Sequence, residues 1–152
     1  KANIKWVNDI YLNGKKVSGI LTEASFNMET SSLDYIVLGI GLNVYPSIEG
    51  FPKEIEDIAG TIFDERQKDA KNALTASFLN NFMNYYIQNN KDLFIESYRK
   101  RSLAIGKNIM ILSSSGNRNA KALDVDEDCR LVVQYEDGRI DHLSSGEISI
   151  RL

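Results

Sequence analysis

Lys5-Trp6-Val7-Asn8-Asp9 is followed within one hairpin's length by Lys15-Lys16-Val17-Ser18-Gly19-Ile20-Leu21, and then by Gly39-Ile40-Gly41-Leu42-Asn43. Read as consecutive strands of one sheet, these segments bring together an Asn-Asp pair, a lysine close to a glycine, and an amide after a Gly-x-Gly turn. Carboxylate, ammonium, amide and bare backbone are the groups with which proteins hold nucleotides. The turn that joins the first two segments is Asn13-Gly14, the strongest short hairpin signal, because both of its positions require positive φ.

Working outward, Asn3 to Val7 is short and apolar-alternating, and Asp9 to Leu12 leads into the hairpin. Lys15 to Phe26 is the returning strand, and a polar turn at Glu29 to Ser32 leads to the next. Asp34 to Asn43 is almost continuously apolar, the pattern of a central strand with no face left for water. Glycine weakens a strand interior, so Gly39 and Gly41 mark either a bulge or a place where a ligand approaches the backbone.

Three helical patterns follow the loop from Val44 to Pro52. Pro52 suits a first helical turn, and Ile55, Ile58, Ala59 and Ile62 share one helical face, although Gly60 interrupts the pattern. From Ala70 to Gln88, Leu74, Phe78, Phe82 and Tyr86 recur every four residues with Leu79 and Met83 beside them. This predicts a long amphipathic helix whose aromatics are core and not a stacking platform. A shorter helix over Asp92 to Ser102 has Phe94, Ile95 and Tyr98 as its buried face and closes on Arg99-Lys100-Arg101, where the helix dipole favours cations.

Composition changes at Ile105-Gly106. Short β-runs at Asn108–Leu112, Ala120–Val125, Arg130–Tyr135, Arg139–Leu143 and Glu147–Arg151 alternate with the polar turns Ser113–Asn117, Asp126–Asp128 and Glu136–Gly138. Strands at this even spacing predict a small β-barrel. The chain therefore divides into residues 1–104 and 105–152. Within the second part, Cys129 reads as a strand residue and His142 as a surface or edge-strand residue, with no metal-ligand spacing around it.

Bulk properties narrow the function. The 152 residues, 43% of them hydrophobic, suffice for a folded, soluble protein with a real core. Basic and acidic residues number 18 and 21, and from Leu103 onward six basic face eight acidic. A broad nucleic-acid footprint is therefore not expected. A single cysteine allows no internal disulfide, so a cytoplasmic home is the default. No apolar run approaches the roughly 18–20 residues that span a bilayer, and no membrane role is expected.

The three opening segments, together with Gly146-Glu147-Ile148-Ser149-Ile150-Arg151 at the tail, resemble the biotin protein ligases. These enzymes adenylate biotin and attach it to a lysine of a carrier protein. The tail matches the Gly-Glu-Ile-Ser-hydrophobic-Arg signature that ends their SH3-like C-terminal domain. The resemblance implies an α+β fold: part of a class II synthetase-like catalytic domain, with a mixed or antiparallel sheet and helices, followed by an SH3-like barrel. It implies ATP, Mg²⁺ and biotin as ligands and a biotin carboxyl carrier protein domain as partner.

Roles follow from the same resemblance. Lys16 contacts both the biotin side and the phosphate and is the expected catalytic residue; a compact ammonium with three donors can shift between acceptors as charge moves. Lys15 is the neighbouring candidate, and strand alternation lets only one of the two enter the pocket. Gly19 lets the ligand ring lie on the backbone, with Ile20 and Leu21 as apolar wall. Asn8 and Asp9 face the adenylate and its magnesium, and Asn43 closes the adenine side. Trp6 is read as packing.

Taken singly, these features are commonplace. A Lys-Lys pair after Asn-Gly is ordinarily a solvated hairpin, and Gly-x-Gly without a third glycine and a following helix is not a dinucleotide fingerprint. Their conjunction in order carries the reading. Two departures stand out: Val7 occupies the place where the family usually has proline, and the family's glycine- and arginine-rich loop, expected upstream of Lys5, is not in the sequence. Lys1 accordingly reads as a cut within a longer protein, with the 152 residues alone expected to be inactive. Unpaired sheet edges favour association with another chain, a homodimer among the options. The alternatives are a lipoate-type acyl-adenylating ligase and a non-enzymatic SH3-like binding module.

Overall fold

The computed structural model describes residues 1–88, 90–113 and 116–150, and by its internal contacts the chain forms two compact units. The first is Asn8–Arg66 with Lys1, and the second comprises Ala2–Val7 and the chain from Gln67 onward. Among the described residues, no helix is long and apolar enough to cross a membrane.

In the first unit, β2 (Asp9–Leu12), β3 (Lys15–Asn27) and β4 (Ser32–Leu42) form an antiparallel meander. Asn13 and Gly14 close the first turn with φ of 51° and 80°, the geometry that the Asn-Gly pair predicts. At the second turn the Asn27 side-chain oxygen accepts the amides of Glu29 and Thr30, a local substitute for ladder bonds. The β3–β4 register runs unbroken from Ser18↔Leu42 to Ser25↔Tyr35. Gly39 and Gly41 therefore sit in regular strand, and the bulge alternative falls away.

Two expectations for this unit fail. β4 is an edge strand of its unit, paired to β3 alone, with Tyr35, Ile36, Val37 and Leu38 exposed. Its apolar run was compatible with double-sided burial but could not supply the elements that would bury it. The helix over Pro52–Ile62 is absent, and that stretch is a series of turns. Ile55 N–H donates to Pro52 O, Ile58 N–H to Ile55 O, and Ala59 N–H to Ile55 O at 2.7 Å. The backbone then straightens at Ala59 and bridges to Lys16 in parallel sense.

The second unit joins β1 (Asn3–Lys5), helices α1 (Ala70–Gln88) and α2 (Lys91–Arg101), and five strands: β5 (Asn108–Leu112), β6 (Arg118–Val125), β7 (Leu131–Tyr135), β8 (Ile140–Leu143) and β9 (Glu147–Ile150). The five are antiparallel in the order β8-β7-β6-β5-β9, the small barrel that the strand spacing predicted. Alternate residues fill its core: Ile109 and Ile111, Ala120 and Ala122, Leu131 and Val133, and Ile148. Strict alternation from Ala122 would put Asp124 inside. A register shift between Ala122 and Asp124 absorbs one residue, so Val125 is buried instead. Ser114 and Ser115 of the predicted Ser113–Asn117 turn, and Arg151 of the tail signature, lie outside the described residues.

α2 matches its predicted ends, but of its expected buried face only Ile95 is buried, Tyr98 is half-buried and Phe94 is exposed. The Asn90 side chain caps it by accepting Asp92 N–H, and Arg99, Lys100 and Arg101 occupy its last turn. α1 exists with the expected length, but its aromatics are not core. Phe78, Phe82 and Tyr86 stack along the helix surface at 5.9 Å steps, and in α1 only Ala70 is buried. The i, i+4 spacing made a continuous face, yet among the described residues it stays exposed, with Phe94 of α2 beside Phe82, Tyr85 and Tyr86. Cys129 is a turn residue at φ 60°, not a strand residue. His142 lies on β8, an edge strand as expected, and its ring donates to Asp126 at 2.7 Å.

Trp6 is 2% exposed and packs in the barrel core, its indole N–H donating to Cys129 O at 3.1 Å. The packing role expected of it is what this environment provides. The peptide bond between Trp6 and Val7 is cis, and the Val7 carbonyl accepts the Tyr98 hydroxyl. Burial raises the Tyr98 pKa, so that hydroxyl remains a donor across the physiological range.

Candidate active site

The residues singled out from the sequence in Asn8–Arg66 converge on one end of the β2-β3-β4 meander. Residues paired across antiparallel strands share a face. Asp9 pairs with Gly19 and Gly19 with Gly41, which makes a row across β2, β3 and β4. The next row on that face pairs Leu21 with Gly39. Three of these five positions carry no side chain, so the face is a bare backbone platform bordered by Asp9 at one side and Leu21 at the other.

Lys16 reaches over this platform. Its Nζ lies 2.6 Å from Asp9 Oδ1, and both atoms would stand 3.6 Å from a Cβ placed on Gly19. The ion pair is partly exposed, so its ammonium is accessible to a ligand anion. Lys15 turns elsewhere, with its Nζ donating to Glu56 O at 3.0 Å. The structure thus separates the two lysines: one faces the glycine platform, and the other ties down the Pro52–Ile62 turns.

Asn8 and Ile20 are joined twice. Ile20 N–H donates to Asn8 O at 3.0 Å, and the Asn8 side-chain amide donates to the Ile20 carbonyl. The Asn8 N–H₂ is therefore partly spent on shaping the hairpin mouth. Its side-chain oxygen is the group with acceptor capacity towards a ligand. Ile20 is half-buried, while Leu21 is exposed and positioned at the platform's rim. Asn43 follows β4 directly and is half-buried; its N–H donates to Val17 O at 2.8 Å and its carbonyl accepts Ile62 N–H at 2.8 Å.

Among the described residues, no cluster of three His, Cys, Asp or Glu side chains could hold a metal ion. Asp9 is one carboxylate, already paired with Lys16. One carboxylate fits a magnesium ion that arrives bound to nucleotide phosphates, because Mg²⁺ commonly keeps waters and substrate oxygens as most of its ligands. It does not make a resident metal centre.

Sequence reasoning passed over the segment Ile58–Phe63. Lys16 N–H donates to Ile58 O at 2.7 Å, Gly60 N–H to Lys16 O at 2.8 Å, and Phe63 N–H to Val44 O at 3.1 Å. The available signal was Gly60 itself, a poor residue for the helix interior where the periodicity placed it.

Comparison with known proteins agrees with this architecture. Residues 1–43 match the Biotin/lipoate A/B protein ligase family, and residues 104–151 match the Biotin protein ligase C terminal domain. Both matched regions are thus similar to parts of protein ligases of the biotin/lipoate class. The bifunctional ligase/repressor BirA of Bacillus subtilis is 30% identical over 157 residues, covering 99% of this chain and 46% of that protein. Biotin–[acetyl-CoA-carboxylase] ligase of Mycobacterium tuberculosis is 28% identical over 152 residues, 97% of this chain and 53% of its own length. The apo structure of biotin protein ligase from Aquifex aeolicus superposes with a TM-score of 0.75 at 28% identity, covering 99% of this chain and 65% of that one. The same enzyme in complex with biotin and ATP gives 0.73 over 99% and 62%. Within the class, the C-terminal match and these relatives make the chain similar to the biotin protein ligases. It spans about half the length of the curated relatives it matches.

Proposed function

We propose that the protein containing this chain converts biotin and MgATP to biotinyl-5′-AMP and transfers the biotinyl group to a lysine of a biotin carboxyl carrier protein domain. In the first step a biotin carboxylate oxygen attacks the α-phosphorus, the bond to the bridging oxygen breaks, and pyrophosphate leaves. In the second the lysine amine attacks the acyl carbon and AMP leaves. Two anions must approach one another in the first step, so a cation between them contributes most as charge builds on the phosphoryl oxygens.

The observation that carries the reading is the Lys16 ammonium held over the Gly19 platform beside Asp9. Lys16 is the catalytic residue of this proposal. Gly19, Ile20 and Leu21 receive biotin: the flat ring system lies on backbone, with apolar side chains at its edge. Asn8, Asp9 and Asn43 hold the adenylate, and Asp9 turns from its ion pair towards the magnesium of the incoming nucleotide. The division at 104/105 separates these residues from the SH3-like C-terminal domain. A cytoplasmic location suits the single cysteine, and the exposed β4 edge suits a homodimer.

The relative solved with biotin and ATP supports both ligands. The biotin-specific C-terminal match favours biotin over lipoate. The test is pyrophosphate release by the full-length protein with MgATP and either biotin or lipoate, followed by a streptavidin blot of a carrier domain. Release with biotin and a labelled carrier support the proposal; release with lipoate alone, or with neither, overturns it.

A further inference from the structure

Lys16 is held by its backbone from both sides. On one side it pairs with Tyr11 of β2, and on the other with the Ile58–Gly60 segment, which takes its N–H and supplies a donor to its carbonyl. The same segment continues to Ile62, whose N–H donates to the carbonyl of Asn43, and to Phe63, bonded to Val44. The backbone from Ile58 to Phe63 therefore spans two residues assigned to opposite ends of the adenylate, one on β3 and one just after β4.

Gly60 is what allows the segment to lie so close. A Cβ there would come within 2.7 Å of Lys15 Cβ, well inside van der Waals contact. Lys15 Nζ also bonds Glu56 O, which anchors the turn that leads into the segment. We infer that Ile58–Phe63 is a positioning clamp that fixes the distance between Lys16 and Asn43, with Gly60 and Lys15 as its positioning residues. The inference rests on the adenylation reading above. Neither residue touches the ligand; each acts through the strand that carries Lys16.

Displacement of a reacting group by about 1 Å can cost up to about 10²-fold in rate. Gly60→Ala should therefore lower kcat for biotin-dependent pyrophosphate release by about tenfold or more in the full-length protein, with biotin KM changed less than about threefold. Removing the opposing Cβ should relieve the clash: in Lys15→Gly/Gly60→Ala, kcat should return to within about threefold of Lys15→Gly alone. A merely destabilising glycine substitution would not be rescued at Lys15. If Gly60→Ala fails to fold, the double variant read against Lys15→Gly still decides.

Amide hydrogen exchange separates this proposal from the adenylation reading, because it needs no activity. Gly60→Ala should speed exchange at Lys16, Gly60 and Ile62 together. An inactive wild type with that coupled loss overturns the adenylation reading and keeps the clamp. Unchanged exchange and rate in Gly60→Ala, or a loss that Lys15→Gly does not rescue, overturns the clamp.

Discussion

Lys16 Nζ sits 2.6 Å from Asp9 Oδ1 across the β2–β3 hairpin, directly over the spot where Gly19 has no side chain. A cation, an anion and an empty stretch of backbone thus meet at one point. The carboxylate holds the ammonium in place while no ligand is present, and a partly exposed pair of this kind contributes little to stability. Its consequences should appear in binding and rate.

Lys16→Ala should reduce biotinyl-adenylate formation by about 10²–10³-fold, the loss that follows removal of one donor aimed at developing charge. Lys15→Ala loses the bond to Glu56 O that anchors the clamp and so acts on Lys16 only through the backbone; it should cost about tenfold or less, well short of Lys16→Ala. Pyrophosphate release under saturating biotin and MgATP measures both. Equal losses in the two variants would contradict the separation of the lysines.

Gly19→Val should abolish biotin binding and leave the fold intact. The first added carbon meets Lys16 Cε at 3.5 Å and Asp9 Oδ1 at 3.6 Å, ordinary contacts that the strand can accept. The two further methyls fill the platform, and valine suits strand conformation. Titration calorimetry with biotin, alongside a melting curve, reads both halves; a collapsed melting temperature would mean that Gly19 serves backbone geometry instead.

Trp6→Phe should destabilise the second unit by about 1–3 kcal/mol, because it leaves a gap in a packed core and strips the Cys129 carbonyl of its donor. Trp6→Ala should cost about 3–5 kcal/mol. Urea unfolding followed by tyrosine fluorescence and circular dichroism gives the midpoints. Equal midpoints for wild type and Trp6→Phe would remove the indole hydrogen bond from the account.

Acid should weaken the barrel through Asp126. The His142 ring hydrogen bond, helped by the backbone and guanidinium of Arg130 and the Asp128 amide, holds its carboxyl well below the ordinary carboxylate range. A folded-state pKa depressed in this way contributes stability above the unfolded value of 3.8, and that contribution is lost as pH falls below it. Urea midpoints of wild type should therefore exceed those of Asp126→Asn at pH 6, and the difference should shrink below about pH 4. A difference independent of pH would assign Asp126 a role through packing alone.

Local chemistry was legible without a structure wherever neighbours along the chain decide it. The Asn13-Gly14 turn, the α2 cap and basic end, the barrel strands and the Lys16–Gly19 strand each depend on contacts a few residues apart. Their backbone preferences or two-residue periods show directly in the sequence. The family resemblance added roles that no spacing could supply.

Only tertiary structure decided the rest. Pro52–Ile62 has helical periodicity, yet it forms turns and a bridge because its amides and carbonyls find partners on Lys16 and Asn43, residues remote in sequence. The apolar runs of β4 and α1 promised burial, but burial requires a covering surface, and no pattern within a strand or helix states what lies opposite. Lys15 and Lys16 were distinguishable as alternating residues; which one faced the glycines depended on the register of β3 against β2 and on the turn segment that claimed the other. Short-range preferences specified the pieces of this protein, and long-range backbone pairing chose which side chains those pieces bring together.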